Sequence, residues 1–423
     1  MKKNKLFTSV LAAGIALTSA FSVVGCGRPN PDGSHGDSGR ADKPYDDTKT
    51  QVRIWTYNAG FKDEWLYQLE ADFEEANKDT VYEAGKKGVQ VRHEGAMKEW
   101  SSDDIKNSNF DVFFMEGGDY YAWRQSGALE DITSLVTSNS AYDNKTIRSK
   151  MNDKQIAYFG GVTGEGVQEK YYALPHYKGA MGLIYNVEIF DEYGFYISDS
   201  ETTSLISASN PNKSKGPDGK TGKENGIDYS MDDGLPATYD EFFYLCGQML
   251  KRGVTPFMLP GTYSDYYINI LYNALVTEYE GIDQMELNMS FKGNATDLIK
   301  LNSDGTAIVK KNGEPVMKDS KYSRQNRKFG WMSLPKANKL KLEEGNSVFL
   351  DSLEAAVCVK ANLGANKKAA LDFVQYVCSD GALDKFTDVT HALKDFNYEV
   401  SKETYDNANY FTKTLINYNK TCK

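Results

Sequence analysis

Asp111-Val112-Phe113-Phe114-Met115 is almost continuously apolar and then breaks into Glu116-Gly117-Gly118-Asp119. A run this short with no polar alternation has no face to give to water. It suits a strand covered on both sides, as in the parallel sheet of an α/β protein. Its surroundings agree. Val52-Arg53-Ile54-Trp55-Thr56-Tyr57 is β-rich and ends in Asn58-Ala59-Gly60. Trp65, Leu66, Leu69, Phe73 and Ala76 then recur at spacings of three and four with acids between them, the pattern of an amphipathic helix. Val89 to His93 reads as a second strand, and a helix-like segment runs from Asp119 to Gly127. Strand, glycine-bearing loop and helix in repetition predict an α/β fold. Ligands of such sheets sit at the carboxyl ends of the strands, where Asn58 to Gly60 and Glu116 to Asp119 fall.

The pattern continues downstream. Tyr172 to Asn186 has strand ends flanking Pro175 and Gly179. Residues 198–235 are polar and read as a long surface insertion. Thr238 and Glu241 have the spacing of a capping box. The helix they open is expected to bury Phe242, Phe243, Cys246, Met249 and Leu250 and to end at Gly253. Asp304-Gly305 and Asn312-Gly313 predict hairpin turns. Val348 to Val359 is strand-like, and Ala365 to Cys378 is a helix with Ala369, Ala370, Phe373, Val374 and Val377 on its buried side.

The first residues set the compartment. Met1-Lys2-Lys3-Asn4-Lys5 precedes a mostly apolar stretch from Leu6 to Val24, which predicts an export signal over residues 1–25. Thr8, Ser9, Gly14, Thr18, Ser19 and Ser22 make that stretch a poor permanent transmembrane helix. Val23-Val24-Gly25-Cys26 resembles a bacterial lipobox, which implies a diacylglyceryl group on Cys26 and cleavage before it. Residues 26–49 are polar and rich in Gly, Pro and Asp, so they read as a flexible tether between lipid and folded body. The chain carries a formal net charge of −10, which loss of Lys2, Lys3 and Lys5 makes more negative. That balance excludes a general nucleic-acid binder. Cys246, Cys358, Cys378 and Cys422 are expected as free thiols, most of them on apolar faces.

Signals of chemistry are absent. His35, His93, His176 and His391 are scattered, with no paired metal-ligand spacing, and no CxxC, nucleophile elbow or P-loop occurs. Neither a cofactor nor a metal is expected. The acidic doublets Glu74-Glu75, Asp103-Asp104, Asp232-Asp233 and Glu343-Glu344 read as solvated faces.

VRIWTYNAG, FDVFFMEGGDYYAWRQSGALEDIT, YYALPHYKGAMGLIYNVEIFDEYGF, LPATYDEFFYLCGQMLKRGVTPFMLPG, FGWMSLPKAN and ANLGANKKAALDFVQYVCSD occur in this order with the lipobox before them. Together they resemble the extracellular solute-binding proteins of carbohydrate ABC transporters, the maltose-binding-protein-like group of type II periplasmic-binding folds. The resemblance implies two α/β lobes joined by a hinge, closing on a sugar without chemistry, and delivery to the permease subunits of the transporter. It assigns residues 50–178 with 332–390 to the first lobe and 179–331 with 391–423 to the second. It places ligand contacts at Tyr57, Asn58, Gly60, Phe61, Glu116, Gly118, Asp119, His176, Tyr177, Lys178, Trp331, Asp351 and Ser352. Relative to that family, no Gly-x-Trp-type motif precedes Phe329-Gly330-Trp331, and the chain stops at Lys423. Both shorten the expected second lobe. A monomer anchored to the membrane through Cys26 is expected.

Tyr, Phe and Trp make up 13% of the chain. Aromatic faces stack on the apolar face of a pyranose, while carboxylates and amides bond its hydroxyls, so this excess suits a sugar cleft. Two other readings remain open on sequence alone: a surface-anchored carbohydrate-active enzyme, and a binding lipoprotein that has lost transport.

Overall fold

The computed structural model describes residues 43–57, 61–116, 120–161, 168–180, 182–224, 226–258, 264–280, 300–311, 316, 351–352 and 355–421. The chain divides into two compact units, one of Met1–Tyr177 and Leu353–Asp406, the other of Lys178–Ser352 and Asn407–Lys423. Among the described residues the strands are, in chain order, β1 (Thr50–Tyr57), β2 (Val89–Ala96), β3 (Val112–Glu116), β4 (Ala173–Pro175), β5 (Gly179–Ala180), β6 (Lys223–Glu224), β7 (Ile227–Asp228), β8 (Asp351–Ser352) and β9 (Ala355–Val359).

The first unit is built on one sheet in the order β2-β1-β3-β9-β4. β1 runs parallel to both β2 and β3, as the sequence pattern requires. β9 runs antiparallel to β3 and to β4, so the sheet is mixed. The late strand-like run supplies β8 and β9, and β9 is the strand that makes the sheet mixed. Every residue of β9 is buried, and so are Val112 to Met115 of β3, because side chains leave a strand on alternate sides and both sides are covered. On one side Phe114 meets Trp65 of the helix Glu64–Ala76, ring centroids 5.1 Å apart. On the other, Phe113 meets Trp100 at 5.2 Å, and Trp100 meets Trp55 at 5.1 Å. Trp55 and Trp65 are thus core residues, as their strand and helix periodicity predicts. Helix Lys367–Val377 closes the first side, with Phe373 packed edge-on to Phe73 at 5.3 Å and the five predicted residues all buried.

The division departs from the expected one at its ends. His391 to Asp406 belong to the first unit, not the second: Leu393, Lys394 and Phe396 are buried, and Phe396 joins the first unit's core. The chain re-enters this unit at Leu353 rather than at residue 332.

In the second unit Phe190, Phe195, Tyr196, Ile197, Leu205, Leu245 and Met249 form a smaller core. The polar stretch expected as an insertion contributes to it. Gly216 has φ +62, and a Cβ there would fall 2.1 Å from the Asp232 carbonyl oxygen, so glycine is needed to bring those segments together. A hairpin of β6 and β7 lies between them. The helix Tyr239–Lys251 carries its predicted capping box: the Glu241 amide donates to Thr238 Oγ1, and the Thr238 amide donates to the Glu241 carboxylate. Gly253, just beyond it, takes φ +72. The turn predicted at Asp304-Gly305 is present, with the Gly305 amide donating to Asn302 and φ +84. The turn at Asn312-Gly313 lies outside the described residues.

The apolar face of that helix is rotated from the expected one. Leu245 joins Phe242 and Met249 inside, Cys246 is half-buried, and Phe243 and Leu250 are 59% and 65% exposed. Leu245→Ala should cost about 2–5 kcal/mol, whereas Phe243→Ala should stay within about 0.5 kcal/mol. Urea unfolding of the two variants checks this, and equal losses would put Phe243 back in the core.

Candidate functional site

The sheet brings two strand ends together. β3 and β4 flank β9 and both oppose it, so they point the same way. Glu116 stands opposite Ala355, and Pro175 opposite Ala356. Adjacent strands lie about 4.8 Å apart, so β3 and β4 are about 10 Å apart across β9. A tyrosine can cross that distance where the intervening strand carries small residues, and Ala355 and Ala356 provide them. His176 continues the pairing one step past β4, its amide donating to the Ala355 carbonyl at 3.2 Å. Tyr177 follows, and its hydroxyl donates to Glu116 Oε1. Phe61 packs edge-on to Tyr177, centroids 5.1 Å apart at 78°. Phe61, Glu116 and Tyr177 are each half-buried. One end of the sheet therefore presents a carboxylate, a phenol and an aromatic ring side by side.

His176 lies beneath this surface rather than on it. It is 2% exposed and enclosed by the rings of Phe114 at 5.0 Å, Tyr177 at 5.3 Å and Trp65 at 5.6 Å. Lys394, 3% exposed, reaches it from below: Nζ is 2.7 Å from His176 Nδ1. The same Nζ lies 4.4 Å from the ring centre of Phe386 and 4.5 Å from that of Trp65. Burial pushes the Lys394 amine down to about 7, against a smaller opposing pull from Cys378. Burial, and then the Lys394 charge, hold His176 well below the usual imidazole value.

The remaining predicted contacts fall in three groups. Tyr57 closes β1 and is half-buried. Lys178 is the first residue of the second unit, where Ser352 and Asp351 pair by backbone with Gly179 and Ala180. Asn58, Gly60, Gly118, Asp119, Trp331 and Cys26, where lipidation is expected, lie outside the described residues. Sequence reasoning missed Lys394. Its only signal was a lone lysine between Leu393 and Phe396, and no periodicity marks it as buried.

Other titratable groups are structural. His93 sits between Glu70 at 2.7 Å and Asp63 at 3.4 Å. Burial opposes its charge, but the hydrogen bonds to Asp63 and Glu70 prevail and raise it to about 9. Of the acidic doublets, Glu74 pairs with Lys43 and Asp104 completes a capping box with Ser101. Asp232 is not solvated as expected: it is buried, and burial with the nearby Asp218 raises its carboxyl to about 7. Cys246, Cys358 and Cys378 are free thiols. Among the described residues no group of three or more His, Cys, Asp or Glu is placed to hold a metal ion, and no helix is long and apolar enough to cross a membrane.

The sequence matches the family model of bacterial extracellular solute-binding proteins over residues 62–323. Among solved structures, apo RafE from Streptococcus pneumoniae is 18% identical with a TM-score of 0.47, covering 86% of this chain and 85% of that one. A structure of RafE in complex with raffinose gives the same identity and TM-score over 84% and 85%. A chitin oligosaccharide binding protein is 14% identical with a TM-score of 0.50, covering 88% of this chain and 87% of that one. At 14% identity the chitin oligosaccharide binding protein speaks to fold alone. No curated protein matches the chain.

The buried amine sets a pH dependence. Its folded value near 7 lies below the ordinary 10.5, so between these values the unfolded chain binds the extra proton. The cost to stability is whole below pH 7 and fades as pH rises towards 10.5. Lys394→Met should therefore stabilise the protein by about 2–4 kcal/mol at pH 6, and the gain should shrink towards pH 10. Urea unfolding across that range tests it, and a gain independent of pH would mean that the amine is not depressed.

Proposed function

The chain belongs to the bacterial extracellular solute-binding protein family, and from that premise we propose that it is a lipid-anchored receptor on the extracytoplasmic face that captures a carbohydrate and hands it to the permease subunits of an ABC transporter. It performs no chemistry. The observation that carries this reading is the junction of Glu116, Tyr177 and Phe61 at the carboxyl ends of the first unit's strands. Sugar capture needs an aromatic face for the ring C–H groups and a charged acceptor for hydroxyls, and both are present there. In this reading Tyr57, Phe61, Glu116 and Tyr177 touch the sugar, and Asn58, Gly60, Gly118, Asp119, Lys178, Trp331, Asp351 and Ser352 stay candidate contacts on the family resemblance alone.

Three chain crossings connect the units, at Tyr177 to Lys178, Ser352 to Leu353 and Asp406 to Asn407. Few crossings of this kind suit a hinge whose closed state is favoured by ligand contacts. The export signal and the Val23-Val24-Gly25-Cys26 motif support anchoring through Cys26. The expected tether over residues 26–49 is too long: Lys43 pairs with Glu70 and Glu74, and Gln90 Nε2 donates to the Pro44 carbonyl, so residues 43–49 belong to the first unit.

A thermal-shift screen with raffinose, chitin oligosaccharides and xylo- and malto-oligosaccharides tests the reading. A bound sugar at about 100 times its Kd should stabilise by about 2.7 kcal/mol, with no shorter sugar released. Tyr177→Phe and Glu116→Gln should each weaken that sugar about tenfold, or about 1.4 kcal/mol. Release of shorter sugars would instead establish an enzyme, and silence across the panel would overturn the receptor reading.

A further inference from the structure

Residues 394–398 hold the end of β4 at three points and are themselves tied down at a fourth. Lys394 and Tyr177 form an antiparallel bridge. The Asp395 amide donates to the His176 carbonyl at 3.2 Å. Lys394 Nζ meets His176 Nδ1 at 2.7 Å. The Lys394 amide donates to Tyr398 Oη at 3.2 Å, and that hydroxyl also pairs with Thr387 Oγ1 at 2.6 Å. Main chain alone would suffice to hold a strand end. A lysine buried to 3% exposure is a costly addition, because taking an ammonium out of water is unfavourable unless something replaces the water. Here only ring faces and one imidazole nitrogen do so. Among the described residues no carboxylate pairs with it. An apolar residue would pack this position at lower cost, so the amine serves something other than stability.

We propose that Lys394 is a positioning residue for the candidate sugar site: through His176 and the bridge to Tyr177 it sets where the Tyr177 hydroxyl meets Glu116. His176 and Tyr177 are adjacent, and their rings contact each other, so a shift of one imidazole is felt by the neighbouring phenol. The contact has two forms. As an ammonium, Lys394 donates to the Nδ1 lone pair and fixes the imidazole proton on Nε2. As a free amine it accepts from Nδ1–H, and the tautomer reverses. The amine titrates near neutrality, so the two forms interchange over the range where such a receptor works. Among the described residues the titratable groups facing Nζ are His176 at the end of β4 and Cys378 after helix Lys367–Val377, while Tyr177 and Tyr398 meet the Lys394 main chain and Asp395 follows it. The helices Glu64–Ala76 and Asp380–Thr390 and strand β3 present Trp65, Phe386 and Phe114, which carry no titratable group.

The significance for binding rests on the sugar reading above, but the test does not. Tyrosine labelled at Cζ with ¹³C, with the Tyr177 resonance assigned from Tyr177→Phe, is titrated by NMR in the sugar-free protein between pH 5.5 and 8.5. The wild-type Tyr177 resonance is expected to move with a midpoint near 7. In Lys394→Met it is expected to be displaced and flat with pH. His176→Phe, which keeps a ring in the box but removes the acceptor, is expected to do the same and guards against misfolding of the first variant. A Tyr177 resonance that neither moves with pH nor differs in either folded variant overturns the proposal. A sugar screen that fails leaves this outcome readable, and the converse also holds.

Discussion

β9 lies between β3 and β4 in the first unit's sheet and runs against both, and the candidate site follows from that. By opposing both, it aligns Glu116 and Pro175 within one register step, opposite Ala355 and Ala356. The sequence supplies small residues at that point, so Tyr177 can reach over the strand to the carboxylate. β9 comes from more than two hundred residues beyond β3, and this long-range pairing joins the two ends of the chain into one unit.

A second consequence is the layering of the site. Half-buried Phe61, Tyr177 and Glu116 form the outer layer, and His176 and Lys394 the layer below. The outer layer has the chemistry of recognition. The inner one carries a charge that packing alone would not select, and it is supplied by residues 391–406, which the family pattern had assigned to the other lobe. His93 makes a useful contrast. It is also buried, but Glu70 and Asp63 face it, so its charge is favoured and its role is to join helix Glu64–Ala76 to β2. Lys394 has rings where His93 has carboxylates, and its charge is disfavoured.

Local structure was legible wherever a short-range rule governs it. The helix Glu64–Ala76, the capping box of Thr238 and Glu241, the positive φ of Gly253 and Gly305 and the doubly buried strand β3 all follow from spacing, side-chain chemistry or backbone sterics. The misassigned face of helix Tyr239–Lys251 shows where such rules end. Phe243 and Leu250 are as apolar as Phe242 and Leu245, and only the position of the second core decides which pair is inside.

For this protein, the sequence by itself determined the α/β character and the solute-binding family. These depend on periodicity, on hydropathy and on motifs within a few residues of each other. Only the tertiary structure decided that β9 is antiparallel, that Tyr177 meets Glu116, that His176 is enclosed and that Lys394 lies beneath it. Each of these joins residues tens to hundreds of positions apart. The free energy that selects them comes from burial and pairing across the sheet, which no local window of sequence contains.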